Sequence, residues 1–243
     1  MLEDPSGRKG RRLEANVLAV EAEPWRDDEL RRAVALAGLE CQGFIAGTLA
    51  AASVLASAEK EIGTAILDCG AVHTSVVVYA RGAPRHLATV SLGGMHITRD
   101  LAVATGLPIA RAEMLKIETQ HAGKETGAIE TLAGRVMAAR IGEILEKVQA
   151  ELARAGWAGR IPGGYVLTGG GALLANMRAL AERAFSGSVR LGLPSLGQTD
   201  GMIAGPAFAT LLGLAEAVRG FGNHLPKGGG RWSSRSPRRN LPA

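Results

Sequence analysis

Aromatic side chains are scarce in this chain, where Phe, Trp and Tyr make up 4% of the 243 residues. Its core cannot rest on large rings and must be filled by small aliphatic side chains, as in parallel sheets covered by helices. Cysteine is nearly missing too, with only Cys41 and Cys69, in unrelated contexts. That excludes a disulfide framework and any Cys/His metal spacing. Both thiols read as buried, free groups in a reducing cytoplasm. No apolar run is long enough to span a bilayer, and the opening MLEDPSGRKGRR lacks the apolar core of a signal peptide. Acidic residues are absent from Lys227 to the end. Lys227, Arg231, Arg235, Arg238 and Arg239 there account for the whole formal charge of +5. The rest of the chain is balanced, which argues against a nucleic-acid-binding domain. The basic segment is either a solvated tail or a contact for anionic lipid or another acidic partner.

What remains is aliphatic and rich in glycine. Hydrophobic residues make up 47% of the chain, enough for one large α/β domain with a smaller element. Residues 13–22 alternate and predict a strand. Residues 26–38 carry apolar positions at helical spacing, with Asp27 and Asp28 in the first turn and Gly38 as the stop. A short strand is predicted at 43–46 and an Ala-rich helix at 48–58. Then come three strands, TAILDCG, TSVVVYA and PRHLATVSL, the last two joined by a turn at Arg81-Gly82. Helices are predicted at 97–105 and 108–121, a loop at 122–131, and a long helix at 132–155 with Val136, Ile141, Ile144, Leu145, Val148 and Leu152 as its stripe. GGYVLTGGG reads as a buried strand running into a glycine turn, followed directly by a helix at 172–185. A strand at 188–194 and a helix at 206–218 complete the body.

Three motifs carry chemistry. Thr168-Gly169-Gly170-Gly171-Ala172 lets backbone approach a ligand, or is simply a tight strand-helix turn. Asp68, at the end of a buried strand and two residues before Gly70, needs a cation or hydrogen-bond donors to offset its desolvation. It is a phosphate clamp or a structural turn. Glu113 and Lys116 lie on one helix face, as a surface ion pair or a ligand pair.

The order and spacing of these motifs resemble the second half of the actin/Hsp70/hexokinase superfamily. Within it, PRHLATVSLGGMHITRDLAVATGLPIARAEMLKI, VLTGGGALLANMRALAERAF with VRLG after it, and GPAFATLLGL resemble the FtsA family of bacterial cell-division proteins, over residues 12–219. The resemblance implies an actin-like (ribonuclease-H-like) α/β domain at 59–220. In front of it would stand a remnant of a strand-helix-strand subdomain with its connector at 1–58, and behind it a disordered basic tail at 221–243. It implies ATP with Mg²⁺ as the ligand. Asp68, Gly70 and Thr74 would lie at the phosphates, Glu113 and Lys116 at ribose and adenine, and Gly169, Gly170 and Gly171 under the adenosine. Arg140 and Glu143 match a family Arg-x-x-Glu on the subdomain where the FtsZ C-terminal tail docks. The implied role is a division scaffold linking FtsZ filaments to the cytoplasmic membrane at the septum. Its further partners would be other division proteins, copies of itself in filaments and the inner membrane surface.

The departures carry expectations of their own. Nothing before residue 12 supplies the family's first phosphate loop, so hydrolysis by this chain alone is not expected. Ala71, Val72 and His73 stand where the family's hairpin is glycine-rich. Valine tolerates φ > 0 badly, so weak or lost phosphate binding is expected. The tail, with Trp232 and Leu241 as its large apolar residues and Pro237 within it, is a poor amphipathic helix and a weak anchor. The competing reading is a truncated, nucleotide-impaired fragment without independent activity. A sugar kinase of the same superfold is disfavoured, because no insertion carries a catalytic Asp loop.

Overall fold

The computed structural model describes residues 23–122, 131–194 and 205–221, with residues 7, 9–12, 14 and 17–21. Its centre is a five-stranded sheet in the order β3-β2-β1-β4-β5. The strands are β1 (Thr64–Cys69), β2 (Thr74–Ala80), β3 (Ala83–Val90), β4 (Tyr165–Thr168) and β5 (Val189–Leu191). β1, β2 and β3 form an antiparallel meander, while β4 runs parallel to β1 and β5 parallel to β4. The turn from β2 to β3 uses positive φ at Arg81 (54°) and Gly82 (73°), the twist a tight hairpin requires.

Alternation along the strands sorts the side chains onto two faces. Ala65, Leu67, Cys69, Val76, Val78, Tyr165 and Leu167 join a core with residues of α4 (Gly94–Thr105), α5 (Ile109–Ala122), α6 (Leu132–Arg154) and α7 (Met177–Ala184). Ile66, Val77, Tyr79 and Val166 face the other way, onto Ala51, Ala52, Val54, Leu55 and Ala209. That second cover is built by α2 (Gly47–Ala51), the 3₁₀ turn Ala52–Val54 and α8 (Ala209–Phe221). β1 is therefore buried on both sides, which explains its nearly continuous apolar run. α2 and α8 cross at Gly213, where a β-carbon would collide with the Ala50 carbonyl group.

Several expectations need correction. Residues 17–21 and 43–46 lie in no strand. Alternation makes a strand only where a neighbour takes its hydrogen bonds, and Val17 and Val20 are exposed without one among the described residues. The predicted helix 48–58 is two short helices, α2 and α3 (Ser57–Ile62), because Leu55 turns extended to bury its side chain. The glycine turn does not run into a helix at Ala172. A 3₁₀ turn at Gly170–Leu173, an extended Leu174 and a left-handed Asn176 intervene before α7 starts at Met177. α1 (Pro24–Leu36) stands as predicted, with Gly38 at φ 75° after its end. The loop at 123–130 and the tail from 222 lie outside the described residues.

Candidate nucleotide site

The chain ends of β1 and β4 lie side by side, with Asp68 opposite Thr168 in the ladder. In open α/β sheets, ligands bind outside the carboxyl ends of parallel strands where the connections diverge. Here β1 leaves into the hairpin to β2, while β4 leaves into the triple glycine on the other side. This is the place at which the sequence motifs meet.

Asp68 points toward α2 and α8. Its Oδ2 accepts from the Thr210 hydroxyl at 3.3 Å, and a β-carbon on Gly169 would lie 2.6 Å from its Oδ1. Burial raises its pKa above the ordinary carboxylate value, partly offset by the Thr210 hydrogen bond and the charge of nearby His73. Gly169 adopts φ 80° and donates its N–H to the Pro206 carbonyl at 2.9 Å. A β-carbon on Gly171 would meet Cys69 at 2.9 Å, whereas one on Gly170 would meet nothing within 4 Å. Two of the three glycines thus serve close packing against the end of β1. Gly170 alone leaves open space that a ligand can fill.

The hairpin is tied down on its other side. Gly70 N–H donates to the His73 carbonyl, and the first N–H groups of α4, from Gly94 and Met95, donate to the Gly70 and Ala71 carbonyls at 3.0 and 2.7 Å. A β-carbon on Gly93 would lie 2.5 Å from the Gly70 oxygen, so this approach requires glycine. Ala71, Val72 and His73 are exposed at the tip, and none has positive φ. The expected backbone strain at Val72 is absent, because the turn needs no left-handed residue there. Among the described residues no backbone bond uses the N–H groups of Ala71, Val72 or His73, which leaves donors for an anion. The Val72 side chain, 63% exposed, crowds the same tip. Thr74 is buried, and its hydroxyl donates to the Leu92 carbonyl, which turns it to a structural task.

Lys116 is buried and reaches back across α4. Its Nζ donates to the Gly94 carbonyl at 3.1 Å, the Thr98 hydroxyl at 3.0 Å and Glu113 Oε2 at 2.7 Å. The Thr98 hydroxyl also lies within hydrogen-bonding reach of Glu113 Oε2. Lys116 therefore fastens α5 to the start of α4, and Glu113, half-exposed, is the member of the pair open to a ligand. These two bonds hold the Glu113 carboxyl below its ordinary pKa against the cost of desolvation. Thr98 and Thr210 are the site residues that sequence reasoning missed. Thr98 sits one helical turn after Gly94, a spacing that could have suggested it, whereas nothing near Thr210 in the sequence points to Asp68.

ATP, the ligand implied by the resemblance, fits this arrangement in three respects: the open side of Gly170, the half-exposed Glu113 and the free N–H groups of the hairpin. Among the described residues no group of three His, Cys, Asp or Glu side chains is placed to hold a metal ion. Mg²⁺ would enter with the nucleotide, carried by phosphate oxygens and water.

Arg140 and Glu143 lie apart from these loops, on α6. Arg140 grips Asp100 of α4 with both prongs, Nε–Oδ2 2.6 Å and Nη2–Oδ1 3.0 Å, and also pairs with Glu143. These carboxylates raise its pKa further, Asp100 foremost. With Val103, Ala104, Val136 and Ala139 they line a shallow hollow of about 420 Å³. No helix among the described residues is long and apolar enough to cross a membrane.

Comparison with known proteins agrees with this layout. Three solved structures share the fold: MreB5 of Spiroplasma citri bound to ADP (TM-score 0.67, 16% identity, 85% of this chain and 69% of that one); EutJ of Carboxydothermus hydrogenoformans (TM-score 0.61, 21% identity, 80% and 61%); and the PilM-PilN type IV pilus biogenesis complex (TM-score 0.62, 21% identity, 74% and 54%). The chain therefore has the actin-like α/β fold expected from its sequence. The family described as "Cell division protein FtsA" matches residues 65–213. The FtsA of Pseudomonas aeruginosa is 35% identical over 87% of this chain and 55% of its own length. That of Escherichia coli K12 is 30% identical over 88% and 57%. The chain thus spans about half the length of the curated relatives it matches. With motif order, strand order and sequence identity in agreement, the chain belongs to the FtsA family of cell division proteins.

Proposed function

We propose that this chain supplies the nucleotide-binding and partner-docking half of an FtsA-type division scaffold, one that binds ATP with Mg²⁺ and links FtsZ filaments to the cytoplasmic membrane at the septum. The observation that carries the reading is the meeting of four elements at one end of the sheet: the Asp68–Gly70 hairpin, Gly93-Gly94, the Glu113/Lys116 pair and the Gly169–Gly171 turn. Bound there, ATP would supply an anhydride and a tightly held anion. The chain's own residues would place it. The hairpin N–H groups take phosphate oxygens, Gly170 gives room for the adenosine and Glu113 accepts from a ribose hydroxyl. Asp68 sets the charge facing the phosphates. Thr74 and Lys116 support this site from behind through Leu92 and Gly94. Affinity is modest, because Val72 projects from the tip where family members carry glycine.

The Arg140–Glu143 hollow is the proposed dock for the FtsZ C-terminal tail. Since Asp100 already neutralises Arg140, recognition falls on the apolar lining and on Glu143. Other division proteins, self-association and the membrane surface complete the proposed partners, with residues 1–58 as front segment and connector, 59–220 as the body and 221–243 as a basic tail. The test is calorimetry of Mg·ATP with the full chain. Saturable binding that Asp68→Ala weakens at least fivefold supports the nucleotide reading, and no heat from a folded sample removes it. An absence of binding would favour the nucleotide-impaired alternative, for which the Ala71-Val72-His73 tip is the motivating feature.

A further inference from the structure

We propose that Thr210, on α8, is a positioning residue that fixes the Asp68 carboxylate at the phosphate end of the site. With Pro206 it makes the start of α8 the element that holds β1 and β4 in a common geometry. This rests on the nucleotide reading given above.

The contacts converge from several sides. The Thr210 hydroxyl donates to Asp68 Oδ2 at 3.3 Å. Its methyl lies 3.4 Å from where a β-carbon of Gly47 would stand, and that same β-carbon would lie 4.0 Å from Asp68 Oδ2. Gly47, at the start of α2, thus leaves just the room that lets Thr210 sit against the carboxylate. The other oxygen, Oδ1, is covered by Gly169. Gly169 is itself anchored, its N–H donating to the Pro206 carbonyl at 2.9 Å, only four positions before Thr210. One short segment, residues 206–210, therefore holds both the acid at the end of β1 and the first glycine after β4.

The segment cannot drift independently of the fold. Pro206 and Ala209 are buried, and α8 is locked onto α2 where Gly213 meets the Ala50 backbone. A carboxylate at the end of a buried strand needs donors to remain both charged and oriented. Among the described residues Thr210 is the side chain that supplies a hydrogen bond to Asp68. The elements packed around this carboxylate present few other charges: His73 from the hairpin is the nearest titratable neighbour with an attractive effect, and Cys69 adjoins it in β1. From α2 and α8, Gly47 and Thr210 stand against it. A threonine hydroxyl is a neutral donor, unlike a lysine or arginine, so it orients the acid without cancelling its charge.

The test uses the full chain and two substitutions that separate the hydroxyl from the shape. Thr210→Val keeps the branched side chain and removes the O–H, and Thr210→Ser keeps the O–H. Urea denaturation first establishes that both fold. Two readouts follow. The first is the Asp68 side-chain carboxyl titration by ¹³C NMR without nucleotide: Thr210→Val moves it to higher pH, and Thr210→Ser leaves it within error of the parent. The second is Mg·ADP affinity: Thr210→Val weakens it about fivefold or more, Thr210→Ser less than twofold, and Thr210→Val has no added effect on an Asp68→Ala chain. If Val and Ser behave alike in the titration, or if Val costs as much affinity on the Asp68→Ala chain, Thr210 is packing and the proposal is overturned. If the parent does not bind Mg·ADP at all, the nucleotide reading falls while the carboxyl titration still decides the role of Thr210.

Discussion

The contact between α2 and α8 predicts opposite outcomes for one substitution at two helical glycines. Gly213 lies in α8 against the Ala50 carbonyl, and a β-carbon there would overlap both carbonyl atoms and approach the Ser53 hydroxyl. These are mostly backbone atoms, so no side chain can swing away and the two helices must separate. Overpacking of this kind costs about 3 kcal/mol, the upper end of what inserted methylenes usually cost. Separation also draws Thr210 away from Asp68 and loosens the Ala51, Ala52 and Ala209 layer on the sheet. Gly142, in the middle of α6, would place its β-carbon in open space. There alanine gains helix propensity, about 0.8–1 kcal/mol. For a chain of this size each kcal/mol moves the melting midpoint by about 2–4 °C. Gly213→Ala is therefore expected to melt about 6–12 °C lower and Gly142→Ala about 2–4 °C higher, read by circular dichroism and checked by urea midpoints. A neutral Gly213→Ala would show that α2 and α8 do not touch as described, and the argument about the start of α8 would fail with it.

Lys116→Met leaves the Gly94 carbonyl and Glu113 without their cation; because the Glu113 end of the pair is half-exposed, the loss is about 1–2 kcal/mol, less than for a fully buried pair, measured by urea denaturation. For Asp68 the folded pKa lies above the unfolded one. The unfolded chain ionises first, so this residue's contribution to stability falls as pH rises from its unfolded pKa through its folded one. Asp68→Asn should accordingly melt higher than the parent near neutral pH, with the difference closing as pH drops below the ordinary carboxylate range. A difference independent of pH would contradict the assignment. Arg140→Ala removes the bidentate tie between α6 and α4, a loss of about 1 kcal/mol for a partly exposed pair, and should weaken binding of a labelled FtsZ tail peptide by fluorescence anisotropy. Burial pushes the Cys69 thiol up to about 12. Native chain at pH 8 should thus show one fast thiol toward a disulfide reagent, Cys41, and two after denaturation.

The sheet was legible in the sequence because its signals are local. β1, β2 and β3 are runs of aliphatic residues closed by Asp68-x-Gly70 and Arg81-Gly82, and the structure pairs them in that order. The long stripe from Val136 to Leu152 marks α6 for the same reason. Residues 17–21 and 43–46 misled because alternation describes a chain that can join a sheet, and no strand stands beside them among the described residues. The site was legible as a set of motifs, but not in its division of labour. That Lys116 faces the backbone of Gly94, or that Asp68 meets a threonine 142 positions later, depends on tertiary approach. Glycine spacing likewise could not reveal that Gly169 and Gly171 pack against β1 while Gly170 faces open space.

That open space gives the most direct test of the central claim, that this end of the sheet is a nucleotide site. Gly170 has no positive φ, and a β-carbon added there meets nothing within 4 Å, so Gly170→Val should fold and melt like the parent while filling the room left for the adenosine. The measurement is Mg·ATP binding to the two full chains, side by side, by calorimetry. The account predicts saturable binding to the parent and at least a tenfold loss in Gly170→Val at unchanged melting temperature. Equal binding by both chains, or none by a folded parent, would contradict it.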